Sequence, residues 1–179
     1  MVTKSNSPSE KNSPIGLSTQ FSYGVGEFAS EVPGSVLVFF FLFFLTNVVG
    51  LNAGLAGTVL LVGKVWDAIN DPIIGWLSDR TNSRWGRRYP WMVVAAIPLG
   101  ISFALLWWIP PLNDEALFLY YCAIGLVFHV AFTSVILPYD TLGAELTEYY
   151  DERTSLISYK AGFSIGGSIL GLVIAQGIF

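Results

Sequence analysis

Five long apolar segments, separated by short polar stretches, make up most of the chain. A helix needs about 20 apolar residues to cross a hydrocarbon core of about 30 Å, so each segment predicts one membrane-spanning helix. The five segments run over residues 21–49, 55–77, 90–109, 116–137 and 155–179. The predicted fold class is all-α integral membrane, with a disordered leader over residues 1–20 and a transmembrane helical bundle over residues 21–179.

Glycines and prolines refine this pattern. Pro33, with glycines on both sides of it, predicts a bent or tilted first helix. Pro138 marks a kink in a fourth helix that continues towards Leu146. The last segment carries small residues at the spacing that lets two helix backbones approach closely. These are Gly162, Gly166, Gly167 and Gly171.

Composition supports the membrane assignment and excludes several functions. The chain is 53% hydrophobic and 12% charged, whereas a soluble domain carries about 25% charged residues. One cysteine and one histidine cannot form an intrachain disulfide or a zinc cluster. The sequence contains no nucleotide-binding loop and no hydrolytic constellation. We therefore predict no enzymatic activity, no cofactor and no nucleic-acid partner.

Among the connections between the apolar segments, only alternate ones carry basic residues. Four arginines follow the second segment, and Arg153 precedes the fifth with Lys160 close behind, whereas residues 50–54 and 110–115 contain no Lys or Arg. Connections rich in Lys and Arg stay on the cytoplasmic side. We therefore expect a multi-pass protein of the inner (plasma) membrane, with a cytoplasmic N-terminus and with Phe179 outside.

Two carboxylates interrupt the second apolar segment. Asp67 and Asp71 are one helical turn apart and share a face, with Lys64 one turn earlier. An intramembrane Asp costs about 2.5–3.5 kcal/mol on insertion scales and typically marks a substrate or ion path. With the amide oxygen of Asn70, these carboxylates suit Na⁺ or H⁺. The alternative is a structural pair neutralised by Lys64 or an arginine, although one lysine cannot neutralise both acids.

Polar residues in the first and fourth segments are further candidates. Glu31 lies about 15 Å inside the first helix if that helix begins near residue 21, and at headgroup level if it begins near residue 28. His129, Thr133 and Asp140 share one face of the fourth helix. His129 is either a proton carrier or a hydrogen-bonding partner within the bundle. Thr133 either offers its hydroxyl to a cation or bonds its own preceding turn.

The connection between the second and third segments is strongly charged. Asp79 stands at the end of the second helix, beside several arginines that can pair with it when the cytoplasmic face closes. These are Arg80, Arg84, Arg87 and Arg88. A charged cytoplasmic gate and a topology signal that contacts lipid headgroups are compatible interpretations.

Two stretches of this region resemble the signatures of a known transporter family. They are Lys64–Pro72 with Gly75-Trp76, and Ser83–Trp91. They are similar to the glycoside–pentoside–hexuronide:cation symporters of the major facilitator superfamily, a family that includes the bacterial melibiose permeases. Weaker similarity lies in Phe21–Gly26, Pro138-Tyr139, Ala144–Thr147 and Asp151–Arg153.

The resemblance implies roles for several residues. Asp67 and Asp71 match the cation-site acids, and Thr133 matches a cation-binding hydroxyl. Glu31 matches an acid that binds substrate hydroxyls, and Lys64 matches a basic residue beside the cation site. The predicted cation-binding residues are thus Asp67, Asp71, Asn70 and Thr133, and the predicted substrate-binding residues are Glu31, Asp140 and Lys64.

The chain also departs from the family pattern. Ile136 stands where sugar-binding members carry a second acid, and Asp140 stands where they carry an aromatic residue. A helix-five arginine of the family has no clean match near Lys160 and Ala161. The resemblance implies a twelve-helix protein of two six-helix halves with the substrate between them. The five predicted helices correspond to an incomplete N-terminal half of that fold.

The sequence therefore predicts the N-terminal portion of a secondary transporter that couples Na⁺ or H⁺ to the uptake of a sugar or related small organic solute. The expected partners are that cation, a glycoside or sugar, the lipid bilayer and a C-terminal half of the same transporter. The alternative is a non-transporting, truncated membrane partner that packs with other transporter helices. A passive channel is disfavoured because no ring of pore-lining charges occurs.

Overall fold

Each predicted span is helical in the computed structural model, which describes residues 16–145 and 149–178. Polar side chains set several helix starts. The Asn52 side chain accepts a hydrogen bond from the amide of Gly54 (2.8 Å), and Asn113 accepts one from the amide of Ala116 (3.2 Å). The helices are α1 (Leu17–Gly26), α2 (Phe28–Phe43) with a π-helical turn (Phe44–Val48), α3 (Ala53–Arg80), α4 (Tyr89–Leu106), α5 (Asp114–Glu145) and α6 (Tyr150–Ile178).

The structure corrects one predicted boundary. Residues 17–20, predicted as part of the leader, belong to α1, where the buried Gln20 accepts a hydrogen bond from Ser155 of α6 (2.9 Å). The predicted continuation of the fourth helix beyond Pro138 is confirmed as far as Glu145. The predictions for residues 1–15, Leu146, Thr147 and Phe179 lie outside the described residues.

Most of the helices have membrane-spanning dimensions. Within the described part of the chain, four stretches are long and apolar enough to cross a membrane, namely Leu17–Val48, Tyr89–Leu106, Asp114–Gly143 and Glu152–Gly177. Helix α3 has 28 residues, which corresponds to about 42 Å at 1.5 Å per residue. Helix α3 differs from those four stretches because it contains the charged residues Lys64, Asp67 and Asp71.

The helices pack in two groups that touch each other sparsely. Helices α3, α4 and α5 form one group, and α6 packs along α1 and α2 to form the other. Glycines permit the close approach of α6, since a Cβ on Gly171 would lie 3.0 Å from the carbonyl oxygen of Val32, and one on Gly167 would lie 3.1 Å from Glu31 Cβ. The predicted close packing is confirmed at these two positions, whereas Gly162 faces open space.

One end of the bundle is closed by aromatic side chains. We call the cluster of Phe41, Phe44, Trp107 and Tyr121 the aromatic end. Phe44 is 5.0 Å from Trp107 between ring centroids, and Phe41 is 6.2 Å from Tyr121, both in edge-to-face geometry. Phe44 and Tyr121 are fully buried. The aromatic end joins α2 to α4 and α5 across the two helix groups.

The first span is interrupted once, at Glu27. The Glu27 amide bonds to the carbonyl oxygen of Gly24 (3.0 Å), three residues back instead of four, and α2 resumes directly afterwards. Gly24 and Gly26, just before the interruption, let two rings pack against the backbone, since the rings of Phe163 and Tyr139 occupy the space that a Cβ would fill at each. The interruption leaves the Glu27 side chain buried within the bundle.

Candidate cation and solute site

A cavity of about 760 Å³ lies between the two helix groups. This volume is within the range of about 300–1,000 Å³ that is typical of small-molecule sites. Its wall is mainly apolar, but α2, α3 and α5 and the turn before α2 contribute charged side chains to it. These are Glu27, Glu31, Lys64, Asp67 and Asp140. The cavity is also lined by His129, Ser168 and Ile136.

Asp67 on α3 is paired with α5. Its Oδ1 lies 2.7 Å from Nδ1 of His129, and its Oδ2 lies 3.5 Å from Nζ of Lys64. The Lys64 side chain is 73% exposed, so solvent weakens that attraction. His129 is therefore the main partner of Asp67. The hydrogen-bonding alternative for His129 describes this contact, and its role as a proton carrier stays a prediction.

Asp71, one turn further along α3, meets the hydroxyl of Thr133. Thr133 Oγ1 donates to Asp71 Oδ1 at 2.9 Å, and the Thr133 side chain is buried. The hydroxyl is thus directed towards the acid of the neighbouring helix and not towards its own preceding turn. Asp71 is bonded to the neutral hydroxyl of Thr133, and the partners of Asp67, His129 and Lys64, are partly exposed. Within the described residues, neither acid is therefore neutralised by a buried cation.

Small and polar residues hold α3 against α5 at this level. A Cβ on Gly63 would lie 2.6 Å from Nε2 of His129, so the imidazole occupies the space left by the glycine. Asn70 is 4% exposed, and its Nδ2 donates to the carbonyl oxygen of His129 at 3.5 Å. Asn70 therefore lies in the same α3–α5 interface as the two acids.

Glu31 lies on the opposite wall. Because the first helix begins at Leu17, Glu31 is about 20 Å along the span at 1.5 Å per residue. Ser168 of α6 donates a hydrogen bond from Oγ to Glu31 Oε2 at 2.9 Å. Of the two positions predicted for Glu31, the structure supports the one inside the bundle.

Asp140 lines the cavity in contact with Lys160 of α6. Nζ of Lys160 pairs with Asp140 Oδ1 and lies 3.6 Å from Oε2 of Glu27. Lys160 also lies 5.6 Å from the ring of Tyr139, whose hydroxyl donates to the carbonyl oxygen of Tyr23. We call Glu27, Asp140 and Lys160 the ion-pair cluster. It joins the turn before α2, α5 and α6.

The predicted cytoplasmic gate residues are divided among several contacts. Arg88 Nη2 lies 3.5 Å from Asp79 Oδ1, and Arg88 also donates to the hydroxyl of Thr141 on α5. The other three arginines do not join this contact. Arg80 lies over the Trp76 ring at 4.0 Å, Arg84 lies over the Trp85 ring at 5.5 Å, and Arg87 is exposed.

Sequence reasoning missed Glu27 and Ser168 and counted Lys160 with the loop cations. Glu27 was detectable, because it lies inside an apolar span and four residues before Glu31, on the same helical face. Lys160 lies about 15 Å beyond the start of α6, well inside the helix. Ser168 carries no local signal, because its role depends on how α6 packs against α2.

Helices of membrane-spanning length around a cavity lined with charged side chains are typical of a multi-pass membrane protein. Residues 22–179 match the family described as MFS/sugar transport protein. The chain belongs to this family, as the resemblance implied.

Curated relatives carry the names of symporters. The chain is 51% identical to the uncharacterized symporter sll1374 of Synechocystis over 88% of its length and 30% of that relative. It is 32% identical to the putative glycoside/cation symporter YagG of Escherichia coli (86% and 33%), and 30% identical to the sodium-dependent lysophosphatidylcholine symporter 1-A of Danio rerio (92% and 31%). The chain thus spans about a third of the length of these relatives.

Proposed function

We propose that this chain is the N-terminal portion of a symporter that couples Na⁺ or H⁺ to the uptake of a sugar or related small organic solute. The observation that carries the proposal is the α3–α5 interface, where Thr133 donates to Asp71 and His129 contacts Asp67. Two acids at membrane depth with incompletely compensated charge have a physical reason to bind a cation.

The cation site consists of Asp67, Asp71, Asn70 and Thr133. All four offer oxygen atoms, which are the ligands that Na⁺ prefers over nitrogen or sulfur. Thr133 has one hydroxyl proton, so the lone pairs of its oxygen can bind a cation while its O–H still donates to Asp71. The names of the relatives support cation coupling, since one is called sodium-dependent and another a glycoside/cation symporter.

The solute binds in the cavity between the helix groups, with Glu31, Asp140 and Lys64 on its wall. Glu31 offers a carboxylate for solute hydroxyls, and Lys64 stands next to the cation site. In a symporter the occupancy of one site must change the affinity of the other. Asp67 belongs to the cation site and also faces the solute cavity, so it connects the two.

The charged connection after α3 is the cytoplasmic gate, in an inner membrane with the N-terminus in the cytoplasm. Arg88 bridges Asp79 at the end of α3 and Thr141 on α5. The positive-inside rule assigns the arginine-rich connection after α3 to the cytoplasm. The gate residues lie at the end of α3 (Asp79 and Arg80) and in this connection (Arg84, Arg87 and Arg88).

The test is solute accumulation by the chain joined to the C-terminal two thirds of sll1374, the 51% identical relative. Membrane vesicles are given a panel of radiolabelled glycosides with and without an inward Na⁺ gradient, at several pH values. We expect gradient-dependent accumulation, lost in Asp67→Asn and in Asp71→Asn and retained in the exposed Glu115→Gln control. Accumulation by both Asn variants at the parent level contradicts the proposed function.

A further inference from the structure

A second depression lies between α4 and α5, and we call it the α4–α5 groove. Its volume is about 590 Å³, and it shares no lining residue with the cavity between the helix groups. Ala95 and Ala131, which line it, are buried, whereas Val94 and Val127 of the same lining are exposed. Because exposed valines of a membrane-spanning helix face lipid, the groove opens towards the bilayer.

The groove is apolar along its described lining, which contains no charged side chain. Its polar groups are already bonded within the protein. Trp91 Nε1 donates to Thr81 Oγ1 at 2.7 Å, and Ser134 Oγ donates to the carbonyl oxygen of Val130 at 2.7 Å. A hydrocarbon chain suits such a surface, because it needs no hydrogen-bond partner and gains from the burial of apolar area.

The groove has about the depth of one lipid leaflet. It runs along residues 90–98 of α4 and 126–134 of α5, which corresponds to about 12 Å on each helix at 1.5 Å per residue. One leaflet contributes about 15 Å to a hydrocarbon core of about 30 Å. A further membrane-spanning helix would need contacts over the whole core, so the length of the groove favours an acyl chain over a helix.

One end of the groove lies at headgroup level. Thr81 and Pro90 both line the groove, so the connection between α3 and α4 begins and ends beside it. Trp85 and Tyr89 in this region are exposed. Exposed Trp and Tyr side chains are typical of the interface between membrane and water, which is where the headgroup of a lipid bound in the groove would lie.

The same connection carries positive charge that is not neutralised within the protein. Arg84 and Arg87 are exposed and stand between the two ends of the connection. The nearby Asp79 pairs with Arg88. Within the described part of the chain, no ion pair includes Arg84 or Arg87. Two such arginines beside the headgroup end of an apolar groove are complementary to the phosphate of an anionic lipid.

We propose that the α4–α5 groove binds an acyl chain of an anionic phospholipid whose phosphate contacts Arg84 and Arg87. The lipid belongs to the leaflet on the side of the arginine-rich connection. Binding is compatible with the contact between Asp79 and Arg88, because neither of these residues is needed for the phosphate. The inference adds a partner outside the central cavity and does not depend on the symporter assignment.

The experiment compares two lipids with the same acyl chains, palmitoyl-oleoyl phosphatidylglycerol and palmitoyl-oleoyl phosphatidylcholine. The purified chain in detergent micelles is titrated with each, and native mass spectrometry measures the dissociation constant of the first bound lipid. We expect phosphatidylglycerol to bind at least about tenfold more tightly, because choline neutralises the phosphate of the other lipid. Glycerol phosphate, an anion without acyl chains, should not displace it. Equal affinities, or displacement by glycerol phosphate, overturns the proposal.

Filling the groove tests where the acyl chain lies. Val127 lines the groove and is 49% exposed, so Val127→Trp places an indole in the groove without entering the core. We expect the affinity for phosphatidylglycerol to fall at least about fivefold, because the acyl chain loses buried area. The matched control is Val173→Trp on α6, at a position that is 61% exposed and outside the groove. If the two variants bind phosphatidylglycerol alike, the lipid does not occupy the groove.

Removing the two arginine charges tests the headgroup contact. In the double variant Arg84→Gln and Arg87→Gln, the preference for phosphatidylglycerol should narrow to about threefold or less, while phosphatidylcholine binds as it does to the parent. A loss of folding would weaken the binding of both lipids, so it cannot imitate this result. Arg153→Gln, exposed on α6, is the matched control and should keep the preference. An unchanged preference in the double variant contradicts the assignment.

The same titration of the chain joined to the C-terminal two thirds of sll1374 distinguishes a lipid from a further helix. We expect the preference for phosphatidylglycerol, and its loss in the double arginine variant, to persist in the longer protein. If the longer protein shows no such preference although the chain alone does, another helix covers the groove and the proposal is wrong.

Discussion

The aromatic end and the ion-pair cluster join the same two groups of helices by opposite means. At the aromatic end, Phe41, Phe44, Trp107 and Tyr121 interlock with buried edge-to-face contacts. In the ion-pair cluster, Lys160 of α6 lies between the buried Glu27 and the more exposed Asp140 of α5. The aromatic end thus joins the two helix groups by close packing of rings, and the ion-pair cluster joins them by electrostatic attraction.

This difference between packing and charge separates the contacts that stabilise the bundle from those that we expect to serve its function. Close packing between helices is the main source of stability inside a membrane, where the hydrophobic effect contributes little. Buried charges cost free energy and are retained where a ligand or a movement needs them. We therefore expect substitutions at the aromatic end to act on folding, and those around the cavity to act on binding.

The largest effect on stability is expected at the aromatic end. Phe44→Ala removes a fully buried ring and leaves a cavity, which should lower the free energy of unfolding by about 3 kcal/mol. The control is Phe39→Ala, whose side chain is 65% exposed and should cost much less. Unfolding in detergent, followed by circular dichroism, measures both. If both variants lower the free energy of unfolding equally, the aromatic end does not contribute more to stability than the exposed surface does.

A medium effect is expected where α6 packs on α2. A Cβ at Gly171 would lie 2.5 Å from Ser35 Oγ and 3.0 Å from the carbonyl oxygen of Val32, so Gly171→Ala should destabilise the chain by about 1–3 kcal/mol through overpacking. Gly162→Ala is the matched control, since nothing lies within 4 Å of its Cβ position. If the two variants unfold alike, α6 does not pack on α2 through Gly171.

The smallest effect on stability is expected at the proposed gate. Asp79 is 62% exposed, so losing its ion pair with Arg88 in Asp79→Ala should cost less than about 1 kcal/mol. In the chain joined to the remaining helices of sll1374, the same change should shift the balance between the inward-open and outward-open states, because we expect their free energies to be similar. Cysteine labelling on both faces measures this shift. If the labelling on both faces is unchanged, the arginines act only as a topology signal and not as a gate.

Much of the fold was accessible from the sequence. Long apolar segments locate the helices, because a membrane imposes a minimum length on each span. The acids of α3 were also visible, since charge inside an apolar segment is rare. The first helix start was less accurate, at residues 17–20, because it depends on contacts such as that between Gln20 and Ser155.

The pairing of the site residues was harder to predict. Asp67 meets His129 and Asp71 meets Thr133 across more than sixty residues of chain, and helical periodicity describes only one helix at a time. The family resemblance suggested Thr133 but not His129 as a partner of Asp67. Lys160 fell inside the predicted fifth segment, but its ion pair with Asp140 was not predicted, because that contact depends on how α6 packs against α5.

The most direct test of the central claim is the binding of radioactive Na⁺ to the purified chain in lipid nanodiscs. The account predicts saturable binding that H⁺ displaces, because both cations compete for the carboxylates of Asp67 and Asp71. It predicts a loss of at least about tenfold in affinity in Asp67→Asn and in Asp71→Asn, which corresponds to about 1.4 kcal/mol, and no change in Glu115→Gln. Saturable Na⁺ binding of parental affinity in both Asn variants would show that the α3 acids are structural.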